Sequence, residues 1–125
     1  MIIVTLTNVS TDGCSLLGYP RWQLVDRAGR RLPFTVAHQP MFLTRAAPRS
    51  VFLPPHASAY AAFEKFRCDL GQEAEVAGGY MTPPGDVAAL AVTVSINLGY
   101  CGTGDPGSQL LTTPVEPTYA SVIHP

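Results

Sequence analysis

Proline and glycine recur so often along this chain, twelve and eleven times in 125 residues, that long helices have little room. Proline blocks helical hydrogen bonding and glycine adds backbone entropy that must be lost on ordering, whereas short strands joined by tight turns accommodate both. The expected class is therefore all-β. The length suits one domain, residues 1–125, and a hydrophobic fraction of 46% is enough for a core.

The residues between the breakers support strands. Ile2–Thr7 is rich in β-branched side chains and ends at Asn8, with Ser10-Thr11-Asp12-Gly13 as turn chemistry behind it. Cys14–Leu17 runs into Gly18-Tyr19-Pro20, and Trp22–Asp26 alternates large apolar with polar positions. Trp22, in phase with Leu24, is expected in the core. Arg27-Ala28-Gly29-Arg30 reads as a hairpin turn with glycine at positive φ, and Arg31–Val36 as the returning strand, restricted by Pro33 to an edge or bulge.

Residues 37–48 form a long loop carrying Met41, Phe42 and Leu43, either exposed as a contact patch or folded over a sheet edge. Val51–Leu53, the Pro54-Pro55-His56 turn and a long strand Ser58–Cys68 follow, the last with both faces partly covered; its alanines leave a helix over 57–67 as the alternative reading. Leu90–Ile96 alternates most clearly of all, Gln109–Val115 is the last core strand, and residues 116–125 are a tail with scope for a short edge segment. The total is seven or eight strands at sandwich spacing.

A net charge of −1 and a charged fraction of 14% leave no electrostatic footprint for a phosphate backbone or an acidic lipid surface, so no nucleic-acid partner is expected. Seven of the eight basic residues are arginine, Lys65 being the exception, a bias that reads as codon usage rather than a recognition site. No apolar run reaches the roughly 18 residues of a membrane span. Met1-Ile2-Ile3-Val4 looks like the middle of a folded domain rather than a targeting segment, so a removed leader or an upstream region is expected.

No catalytic constellation stands out. Ser108, Asp105 and His124 lack a nucleophile-elbow context, and the glycines of Gly99–Gly104 lack the lysine and following helix of a phosphate loop. His38, His56 and His124 are scattered, Met41 and Met81 give them no copper-site spacing, and Cys14, Cys68 and Cys101 lie too far apart for a paired redox or zinc motif. Neither an enzyme nor a cofactor or metal site is expected. Tyr19 has two readings, as a residue packed across the sandwich end or as part of a recognition loop.

The run Leu6-Thr7-Asn8-Val9-Ser10-Thr11-Asp12-Gly13-Cys14-Ser15-Leu16-Leu17-Gly18-Tyr19-Pro20, followed by Leu24-Val25-Asp26-Arg27-Ala28-Gly29-Arg30, resembles the actinobacterial family called domain of unknown function 4232. That pattern is a strand ending in LTN, a small polar turn, C-x-L-x-GYP and a strand closing in D-x-x-G. Val51–Ala59 resembles the family's apolar strand and proline-glycine turn, with His56 in place of glycine; Pro83-Pro84-Gly85, Cys101 and Pro114-Val115 also sit as in such proteins. The resemblance implies an immunoglobulin-like antiparallel β-sandwich, exported or anchored at the cell envelope, and no activity. It also implies a strand ahead of the LTN strand. This chain has almost nothing there, which predicts a sheet edge open to a second copy or to the tail.

One disulfide and one thiol is the natural count for three cysteines, and the resemblance favours Cys68 with Cys101. Pairings of Cys14 with either stay open, as do three free thiols. The expected protein is thus a non-catalytic extracytoplasmic domain for protein interaction or envelope structure, engaging an unknown partner or itself. Its rival is a module binding a small molecule or glycan between loops that carry Tyr19, Phe42, Tyr80 and Tyr100.

Overall fold

Ile2–Thr7 (β1) is the first strand of the computed structural model, which describes residues 1–85, 90–92 and 98–124. It runs antiparallel to Ser58–Glu64 (β6) from Ile2 opposite Phe63 to Thr7 opposite Ser58. Period-2 alternation sends Ala59, Ala61 and Phe63 of β6 into the main core and leaves Tyr60, Ala62 and Glu64 on the other face. The alternative helix over 57–67 does not form, and the strand stops at Glu64, short of Cys68.

On its other side β6 pairs with Gln109–Thr112 (β11), which pairs in parallel with Thr35–Ala37 (β4), giving a sheet in the order β1-β6-β11-β4. The opposing sheet joins Arg21–Val25 (β3), Gly78–Thr82 (β8) and Leu90–Val92 (β9). Residues 93–96 of the strand expected at Leu90–Ile96 lie outside the described residues. Two short ladders complete the fold: Cys14–Leu16 (β2) with Val51–Leu53 (β5), and Ala74–Glu75 (β7) with Gly99–Tyr100 (β10). The described residues thus hold eleven strands rather than seven or eight, several being fragments of two or three residues.

Trp22 ties the layers together. Its ring meets Phe63 edge-on at 5.0 Å, and its Nε1–H donates to Thr112 Oγ1 at 2.7 Å, so the indole is buried without an orphaned donor. Around it pack Leu24 and Met81 from one sheet and Leu6, Ala61 and Leu110 from the other. The architecture is an all-β sandwich.

Two sequence expectations need correction. The hairpin turn forms, with Gly29 at φ 79° and Asp26 Oδ1 accepting from the amides of Ala28 and Arg30, but Arg31–Val36 is no returning strand. Arg31 makes one bridge to Val25 and Leu32 N–H donates to Leu24 O; Pro33, lacking an N–H, then ends the ladder and the chain crosses to the other sheet as β4. The tail adds no edge strand to β1. Glu116 bridges Tyr60, and Tyr119–Ile123 then forms a helix (α1), started by a capping box between Thr118 and Ser121, that lays Val122 on Ala62 of β6. Among the described residues, β1 stands at the end of its sheet.

His56 is the one non-glycine at positive φ, 69°, among the described residues. It occupies the left-handed corner of the proline turn, the backbone state that makes glycine the usual residue there.

Candidate functional site

The loop between β4 and β5 is fastened at successive points. The exposed His38 ring stacks on Tyr19 with centroids 3.6 Å apart, Pro40 is fully buried, and Leu43 is buried against Ala62 and Val122. Thr44 N–H donates to Val122 O at 2.8 Å. Between these anchors Glu64, only 6% exposed, accepts the backbone N–H of Met41 and, at 3.0 Å, that of Phe42. A buried carboxylate demands hydrogen-bond donors, and here the loop backbone supplies them.

With its backbone held, the loop turns two large apolar side chains outward: Met41 is 51% exposed and Phe42 63%. Leu43 is a correction to the expected contact patch. The face of β6 that bears Ala62 needs covering, and Leu43 joins α1 in covering it.

The remaining aromatic candidates differ in exposure. Tyr100 is buried, edge-on to Phe34 at 5.1 Å, and so leaves the expected contact surface. Tyr80 is exposed on the outer face of β8, opposite Gln23. Tyr19 lines a shallow cleft with Leu17, Arg21 and Pro84. Of the four residues Tyr19, Phe42, Tyr80 and Tyr100, the last is thus buried, and Tyr19 meets the tethered loop through His38.

At another place on the sandwich, Cys68 and Cys101 form a disulfide with Cα atoms 5.3 Å apart, leaving Cys14 as an exposed thiol. The loops around it are stitched by Asp105, whose carboxylate accepts from the amides of Gly107 (2.8 Å), Asp69 (3.0 Å) and Leu70 (3.2 Å). The Gly107 amide, then those of Asp69 and Leu70, hold the Asp105 carboxyl below the usual range. Burial lowers Lys65, against a smaller opposing pull from Asp105. Gly107 has to be glycine, because a Cβ there would collide with Cys101 Sγ and the Arg67 backbone. Ser108 Oγ accepts from Cys101 N–H at 3.1 Å and donates to Gly102 O, so this hydroxyl is engaged in the loop.

Sequence reasoning missed the tethering by Glu64, the loop-stitching role of Asp105, which it weighed only beside Ser108 and His124, and the pair Arg49–Glu116, in which a 1%-exposed carboxylate accepts Arg49 Nη2 at 2.9 Å. One signal was available for Glu64: it falls in phase with Tyr60 and Ala62 on a face whose apolar residues imply cover. Among the described residues no group of three His, Cys, Asp or Glu is placed to hold a metal ion.

The sandwich, its disulfide and its tethered loop define a β-rich domain. The chain belongs to the domain of unknown function family DUF4232, whose family model matches residues 1–116. No curated protein and no solved structure matches it.

Proposed function

We propose that this chain is a non-catalytic, extracytoplasmic interaction domain that offers Met41 and Phe42 to a protein partner at the cell envelope. The observation that carries the reading is their exposure on a backbone pinned by Glu64. Large apolar side chains on a preorganised loop suit binding, because little further entropy is lost when a partner covers them. The Cys68–Cys101 disulfide supports an oxidising compartment, and no helix among the described residues is long and apolar enough to cross a membrane. The burial of Tyr100 favours this reading over a small-molecule or glycan site built from Tyr19, Phe42, Tyr80 and Tyr100.

The test is a photo-crosslinking residue at position 42, compared with one at Leu70, which is 93% exposed but outside the tethered loop. The expected result is one discrete adduct from position 42, absent from position 70 and competed by unlabelled protein but not by a Met41→Ser/Phe42→Ser variant. An adduct of twice the chain's mass would make the partner a second copy. No adduct, or equal adducts from both positions, would refute the proposal.

A further inference from the structure

Pro33 opens a groove where it turns the chain away from β3. The cavity, about 560 Å³, is lined by Arg21, Gln23, Arg31 and Thr82 on its polar side and by Leu32, Pro33 and Phe34 on its apolar side. That volume lies in the range of small-molecule sites. Among the described residues, no acidic side chain lines it.

Three of the seven arginines are paired with acids among the described residues, and Arg21 and Arg31 are not among them. Arg27, Arg30 and Arg49 each reach a carboxylate, on Glu75, Asp26 and Glu116. Arg31 instead holds a neutral group: with the Gln23 amide oriented so that its oxygen faces the guanidinium, Arg31 Nε and Nη2 donate to it at 2.9 and 2.8 Å. An amide fixes the guanidinium plane without cancelling its charge, and the remaining N–H groups stay available as a fork. Arg21 lies two residues from Gln23 on the same outward face of β3, its Cα about 7 Å away along the strand. Two cations thus border one groove with an apolar wall beside them.

We propose that this groove binds a small anionic molecule, its carboxylate or phosphate gripped by Arg31 and Arg21 and its body laid on Leu32, Pro33 and Phe34. Planar guanidinium forks match both oxyanions, and Thr82, opposite Arg21 in the ladder, adds a hydroxyl.

The experiment is an NMR titration of the folded protein that follows backbone amides and arginine Nε–Hε signals, with benzoate, phenyl phosphate and the neutral isostere benzamide as probes. Saturable shifts at Arg21, Arg31 and Phe34 with benzoate or phenyl phosphate, and none with benzamide, are expected; whichever anion saturates first names the oxyanion. Arg31→Gln should weaken that binding about tenfold or more, and Arg27→Gln should not. Gln23→Glu separates charge from folding, because it keeps an acceptor for Arg31 while placing a carboxylate in the clamp; it should abolish binding with the spectrum otherwise preserved. Equal response to benzamide, shifts spread over all arginines, or undiminished binding by Gln23→Glu would overturn the proposal.

Discussion

Replacing Glu64 by alanine should release the loop that displays Met41 and Phe42 while leaving the sandwich folded. The carboxylate is 6% exposed and serves two backbone N–H groups, of Met41 and Phe42. Each donor left unsatisfied in a buried setting costs about 1–3 kcal/mol, but both lie near the surface, where a loosened loop lets water in. A loss of about 2–4 kcal/mol in urea unfolding is therefore expected. Glu64→Gln retains one acceptor oxygen and turns its NH₂ toward the second donor, so about half that loss is expected. The local effect is sharper: exchange of the Met41 and Phe42 amides should quicken about thirtyfold for each 2 kcal/mol of lost tethering, while the Ala61 amide in the β1–β6 ladder keeps its protection. If Glu64→Ala stays within about 0.5 kcal/mol of wild type and the two amides exchange unchanged, the carboxylate is no tether and the presentation argument fails.

Reducing the Cys68–Cys101 disulfide, which closes a separation of 33 positions, should lower unfolding stability by about 4 kcal/mol, read as a drop in denaturant midpoint that Cys14→Ser alone does not produce. Asp105 should make the fold acid-sensitive. Its folded-state carboxyl lies below its unfolded value, so its stabilisation is complete above roughly pH 4 and is lost as pH falls through the folded value. Unfolding midpoints of wild type and Asp105→Asn should therefore differ most near neutrality and converge in strong acid, and a constant difference would refute the assignment.

Where a local period decides the outcome, the sequence was readable. Trp22 and Leu24 alternate into the core, β1 lies where its β-branched run predicts, and the Pro54-Pro55-His56 turn ends strand β5. Gly29 takes the positive φ its turn requires. Partner choice was not readable, because pairing is a long-range property. Nothing near Thr35 announces that β4 leaves its hairpin neighbour for a parallel place beside β11, 74 positions on at Gln109. The fragments β7 and β10 share that difficulty, since neither of two paired residues has a period of its own.

The candidate site shows why a motif can be visible while its arrangement is not. Met41-Phe42-Leu43 stands out as three apolar residues in a proline-bounded loop, yet which of them points inward depends on what lies beneath. That surface is the Tyr60, Ala62 and Glu64 face of β6, roofed by Val122 of α1. The family match ends at residue 116, and α1 begins at Tyr119, so the helix that draws Leu43 inward lies beyond the matched stretch. The outward pose of Met41 and Phe42 therefore rests on two supports of different origin. Glu64 belongs to the matched sandwich, whereas Val122 comes from the segment after it, so the pose draws on both parts of the chain.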